Sequence, residues 1–224
     1  MSAFKKISAA AAALACAFSI GAAQAAQTRV MVMMSPGFEE GETVEILDVV
    51  RRGGSHVDAV SIAGEYVPGA HNIVIKADRV LSMEMKDLKD YEDYDMIVIP
   101  GGWTGTDHMV ADKRVIELLK RYSKANKFIA AMCAGPNALA KAGIIKGKRI
   151  TAYPGPKTEP FYTGAIYDPK VVVRDGKLIT SKATGTALPF AFALVDALGG
   201  DSATIKKRFY YDELKAWPDG LKKK

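Results

Sequence analysis

The chain has 224 residues, 25% of them charged, and a formal charge of +6. That length suits one domain with a substantial core. Basic residues are spread along the chain, apart from Lys222-Lys223-Lys224, and are not interleaved with aromatics, which argues against a nucleic-acid surface.

In chain order the first feature is a targeting signal. Lys5-Lys6 precede an Ala-rich apolar run from Ile7 to Ala23, and Ala23-Gln24-Ala25 offers a small-x-small cleavage site. Residues 1–25 are expected to be a signal peptide cleaved near Ala25, and residues 26–224 an exported domain whose compartment is the bacterial periplasm. The run is too weakly apolar for a stop-transfer helix, so no membrane span is expected. Leu14-Ala15-Cys16 has the outline of a lipoprotein site, but Ala13 stands where a larger aliphatic belongs. Cleavage would leave Cys133 as the only thiol. With no disulfide partner in its own chain, it is buried and inert, pairs between chains, or reacts.

Val30 to Met34 is a short unbroken apolar strand ending at Ser35-Pro36-Gly37. A helix is predicted over Glu42–Arg52, with Val44, Ile46, Leu47, Val49 and Val50 as its apolar stripe and Gly53-Gly54 closing it. Val57–Ile62 and Ile73–Ile75 read as strands, and Met96–Ile99 as a buried strand broken by Pro100-Gly101-Gly102. An amphipathic helix over Lys113–Lys124 precedes a buried strand, Phe128–Met132, that runs straight into Cys133. Ala134–Ala142 reads as helix with Gly143 at its end. Val171–Val173 and Leu178–Thr180 form a hairpin expected to turn through Asp175-Gly176 in type I′. Helices are expected over Thr184–Leu198 and Ala203–Leu214. Strands alternating with helices predict a single α/β domain, a sandwich around a mostly parallel sheet.

In such a sheet, ligands sit outside the carboxyl ends of the strands. Three of those ends carry unusual residues: Gly37 to Glu42, Pro100-Gly101-Gly102, and Met132 to Gly135. Ala131-Met132-Cys133-Ala134-Gly135 has the form of a nucleophile elbow, with small residues two before and two after the nucleophile. There the sulfur is expected to face a helix N-terminus, which lowers a thiol pKa. Glu42 either answers the dipole of its own helix or faces the thiol as a proton donor and acceptor. Gly101-Gly102 can bring backbone N–H groups close to a ligand oxyanion. None of His56, His71 and His108 adjoins Cys133, and no pair of them has metal-ligand spacing, so neither a metal nor a cofactor is expected.

Glu39 to Val44, Ile99-Pro100-Gly101-Gly102 and Ala130 to Pro136 together resemble the signature segments of the DJ-1/PfpI superfamily, in particular its DJ-1 (YajL-like) branch. The resemblance runs from about Arg29 to Gly200, through Arg51-Arg52-Gly53-Gly54 and Gly185-Thr186-Ala187. It implies a flavodoxin-like sandwich, a homodimer, and a reactive cysteine, Cys133, paired with a protonated glutamate, Glu42. It also implies an oxyanion-binding backbone at Gly101, Gly102 and Ala134, and an anion-binding rim at Arg52, which matches an arginine that in relatives approaches the partner's site across the dimer, and at His71, which stands where DJ-1 carries an anion-binding arginine. Departures are visible. Protease-like branches place a histidine directly after the cysteine, where this chain has Ala134, which argues against peptidase activity. Tyr153 stands where DJ-1 has a histidine, and Lys182 to Thr186 replaces a stiffer Arg-Gly-Pro-Gly-Thr loop. The implied partner is a small reactive carbonyl compound, processed as by a glyoxalase or deglycase, or a peroxide that oxidises Cys133 in a sensor or protective role.

Overall fold

The computed structural model describes residues 27–215. The expected signal peptide, Cys16 and the terminal lysines lie outside the described residues.

The chain opens with β1 (Arg29–Met34), α1 (Glu40–Arg52) and β2 (His56–Ser61). Next come three short strands, β3 (Tyr66–Pro68), β4 (Val74–Lys76) and β5 (Arg79–Val80). The middle holds β6 (Met96–Ile99), α2 (Trp103–Ala111), α3 (Lys113–Lys124), β7 (Phe128–Met132) and α4 (Pro136–Lys141). It closes with β8 (Arg149–Ile150), β9 (Ile166–Tyr167), β10 (Val172–Asp175), β11 (Leu178–Ser181), α5 (Ala187–Ala197) and α6 (Ser202–Arg208). A seven-stranded sheet has the order β10-β11-β7-β6-β1-β2-β5. Every neighbouring pair is parallel except β10–β11.

The unbroken apolar run of β1 follows from its place at mid-sheet. Val30, Val32 and Met34 face one layer and Met31 and Met33 the other, all fully buried. The first layer is α1, α5 and α6, through Ile46, Val49, Phe190, Phe192 and Ile205. The second is α3 and α4, through Leu118, Leu119, Tyr122 and Leu139. The result is the expected three-layer α/β sandwich. No helix among the described residues is long and apolar enough to cross a membrane.

Several boundaries differ from expectation. The hairpin turns through Gly176-Lys177, and only Gly176 (φ +63°) has positive φ, whereas type I′ needs two such residues. Thr184–Thr186 is a 3-10 turn ahead of α5. The last helix stops at Arg208 because Tyr210 adopts φ +52°. α2 was not expected: Gly105 and the threonines around it are weak helix formers, and its packing through Gly105, Thr106 and Met109 overrides that propensity.

From β1 the chain runs outward through β2 and β5, then returns to β6 on the other side of β1 and continues to β7 and β11. Strand order reverses between β1 and β6, and the crevice at their carboxyl ends is where this architecture binds ligands.

Candidate active site

Cys133 follows β7 directly and adopts φ +58°, one of few non-glycine residues among those described with positive φ. That conformation costs about 1–2 kcal/mol for a residue bearing Cβ. It is held by the backbone: Cys133 N–H donates to Ser181 O (3.2 Å) and its carbonyl accepts from Tyr153 N–H (2.9 Å). The small residues of the elbow have steric reasons. A Cβ on Gly135 would lie 2.4 Å from Ile99 O, and Ala131 is sealed between β6 and β11.

Glu42 projects from the first turn of α1 and is completely buried. Its Oε2 accepts from Gly101 N–H (2.7 Å), its Oε1 from the Thr184 hydroxyl (3.2 Å), and it shares a hydrogen bond with the Cys133 thiol. Gly101 seals the contact: a Cβ there would fall 2.5 Å from Cys133 Cβ and 2.7 Å from Glu42 Oε2. Gly102 and Ala134 point their N–H groups at the sulfur.

Burial pushes the Glu42 carboxyl up to about 7, against the pull of its hydrogen bonds to Gly101, Cys133 and Thr184. Burial first, then the charge of Glu42, pushes the Cys133 thiol up as well, against the Ala134 and Gly102 amides. This corrects the expected lowering by a helix N-terminus. α4 has only six residues and begins at Pro136, beyond the elbow, and two amides do not offset desolvation. The two groups titrate together: one proton leaves the pair near neutral pH, and the second is held far more tightly.

Of the residues expected at the site, the structure brings together Cys133, Glu42, Gly101, Gly102 and Ala134. Arg52, expected to act across a dimer rather than within its own chain, and His71 make the following contacts within this chain. Arg52 ends α1, about 15 Å along the helix from Glu42, where it pairs with Asp48 (2.8 Å) and lies over the Phe209 ring. His71 is turned to carboxylates: its N–H and Nδ1 bond the two oxygens of buried Glu40 at 2.6 and 2.9 Å, and Glu39 lies 3.7 Å away. The hydrogen bond to Glu40, with the charges of Glu39 and Glu40, raises the His71 pKa.

Glu39, Glu40 and His71 are also where ligand atoms converge, within 4.8 Å of one another, which no local spacing in the sequence shows. Ile73 N–H bonds Glu40 as well, so the Glu40 carboxylate is already engaged by three donors of the chain. His56 pairs with Asp58, and His108 bonds the Pro36 carbonyl. Thr184, the hydroxyl donor to Glu42, and Trp103, which packs edge-on to Tyr153, were not singled out from sequence. Thr184 lies 142 residues from its partner, so no local pattern could have marked it.

Residues 28–197 match the model of the DJ-1/PfpI family. The chain is 36% identical to protein dj-1beta of Drosophila melanogaster over 171 residues, covering 76% of this chain and 89% of that one. The crystal structure of Drosophila DJ-1beta superposes with a TM-score of 0.74 at 33% identity, covering 82% of this chain and 98% of that one. A glutathione-independent glyoxalase, DJR-1.2 of Caenorhabditis elegans, is 35% identical over 184 residues, 80% of this chain and 94% of its own. An oxidized DJ-1 of Toxoplasma gondii superposes with a TM-score of 0.72 at 27% identity, covering 82% of this chain and 98% of that one.

Proposed function

The chain belongs to the DJ-1/PfpI family, and on that premise we propose that it is a protective protein that converts small reactive aldehydes to hydroxy acids through Cys133. One observation carries the reading: a partly exposed thiol hydrogen-bonded to a fully buried carboxyl whose pKa sits at about 7. Such a carboxyl gives and takes protons at neutral pH. The glyoxalase of Caenorhabditis elegans supports the choice of substrate.

The reactive form of the singly charged pair carries its charge on sulfur, favoured by the Ala134 and Gly102 amides, and its proton on Glu42. With methylglyoxal, sulfur attacks the aldehyde carbon, a C–S bond forms, and the carbonyl oxygen becomes an alkoxide. Sulfur, now neutral, no longer needs the two amides, which turn to that oxygen before it takes the Glu42 proton. Glu42 then removes the hydrogen on the aldehyde carbon as a proton and returns it to the neighbouring carbon, while the hydroxyl proton passes from the first carbon's oxygen to the second's. The first carbon is oxidised as the second is reduced, which yields a lactoyl thioester. Water cleaves it to lactate and the free thiol, so the net reaction adds one water.

The test is lactate formation from methylglyoxal by the wild-type protein, Cys133→Ser and Glu42→Gln. Turnover is expected only in the wild type, and retained turnover in both variants would sink the mechanism.

A second reading has its own support. Cys133 is partly exposed, and a DJ-1 relative has been seen oxidized. On that reading peroxide converts Cys133 to a sulfinate that accepts a hydrogen bond from protonated Glu42. Intact mass after peroxide treatment should then show two added oxygens, located at Cys133. In either role we take the protein to be an exported homodimer that has lost residues 1–25, which N-terminal mass spectrometry and light scattering would check.

A further inference from the structure

Two aromatic residues are tied to Cys133 through the backbone, and the proposed chemistry uses neither. Trp103 directly follows Gly102, whose N–H faces the sulfur. Tyr153 donates its backbone N–H to the Cys133 carbonyl. Their rings meet edge to face, 5.4 Å apart at 83°. Trp103 is nevertheless 38% exposed and Tyr153 40% exposed.

A cation completes the group. Lys157 Nζ lies 5.2 Å from the centre of the Trp103 ring. Lys157 has no carboxylate partner among the described residues, whereas Lys148, Arg149 and Lys170 nearby in the chain pair with Asp175 or Asp168. The segment that carries it is braced from within. Thr158 donates its hydroxyl to Tyr153 O (2.5 Å), and the N–H groups of Thr158 and Glu159 both reach Gly155 O at 3.0 Å.

We propose that Trp103, Tyr153 and Lys157 form a specificity subsite that selects carbonyl compounds bearing a planar group with a carboxylate. The inference rests on Cys133 being the reacting group, since that is what sets the rim beside a bound carbonyl. The partly exposed indole that follows Gly102 accepts a flat ring by offset or edge contact. The unpaired ammonium next to it attracts an anion and repels cationic adducts such as those formed on lysine or arginine side chains. One exposed charge contact is worth up to about 1 kcal/mol, or about fivefold. Selection is therefore graded, and salt weakens it.

A binding measurement tests this apart from turnover. Calorimetry on Cys133→Ser compares 4-acetylbenzoate with acetophenone, which differ only in the carboxylate, and repeats the pair with Lys157→Gln and with Trp103→Ala added. The expected result is about fivefold tighter binding of 4-acetylbenzoate. Lys157→Gln should abolish that difference, and Trp103→Ala should weaken both ligands. Equal affinity of the two ligands, or a difference that survives Lys157→Gln, overturns the subsite. If the subsite binds as expected but the wild-type protein turns over neither methylglyoxal nor 4-carboxyphenylglyoxal, the proposed catalysis fails and the recognition stands.

Discussion

Glu42→Gln alters the charge of the pair while keeping its shape. The Glu42 carboxyl rises on folding from 4.5 to about 7, chiefly because it is buried. Over that interval the folded chain holds a proton that the unfolded chain releases, so stability falls as pH rises. The contribution is complete below 4.5 and lost as the pH passes about 7. At about 1.4 kcal/mol per pKa unit, it comes to about 3 kcal/mol. Gln cannot ionise, yet its amide oxygen can still accept from Gly101 N–H. Urea unfolding at steps from pH 4.5 upward should therefore show the wild type losing about 3 kcal/mol relative to Glu42→Gln by about pH 8. The same samples, alkylated with iodoacetamide, should show Cys133 reactivity rising near neutral pH in the wild type, as the pair's first proton leaves. Parallel stability curves for the two proteins would refute the picture of a buried, half-protonated carboxyl.

Three further outcomes follow from single contacts. Gly101→Ala places a methyl 2.5 Å from Cys133 Cβ and 2.7 Å from Glu42 Oε2, so it should cost about 1–3 kcal/mol by chemical denaturation and slow Cys133 alkylation at least about tenfold. Thr184→Val removes a donor that lowers the Glu42 pKa, so the pH midpoint of Cys133 alkylation should move up. Glu40→Ala deletes the acceptor for His71 N–H, His71 Nδ1 and Ile73 N–H, and hydrogen exchange at the His71 and Ile73 amides should quicken by about an order of magnitude. If those amides exchange unchanged, Glu40 does not hold that turn.

Much of the architecture is legible in the sequence because local rules and tertiary packing agree there. β1, β6 and β7 are unbroken apolar runs because each is covered on both faces. α3 is legible from the periodicity that buries Val115, Leu118, Leu119 and Tyr122. α2 is not, since Gly105 and its neighbouring threonines are helical only through packing. β3, β5, β8 and β9 are two or three residues long, too short for any period to show.

Around Cys133, local pattern alone places a thiol at a strand-to-helix elbow, because the turn admits only small neighbours, as the 2.4 Å approach of a Gly135 Cβ to Ile99 O demonstrates. It also marked Glu42 as one of two readings, a helix-dipole acid or a partner to that thiol. The packing of α1 resolves the two, because it buries Glu42 against Gly101 and Cys133 rather than leaving it at the helix surface. The thiol pKa was misjudged for the same reason. A motif reports which dipoles lie nearby along the chain, whereas desolvation comes from residues distant in sequence, and here it outweighs two well-placed amides. The rim likewise depends on distance in sequence: Trp103 meets Tyr153 and Lys157 because β6 and β7 lie side by side and the Tyr153 N–H bonds the Cys133 carbonyl at the end of β7.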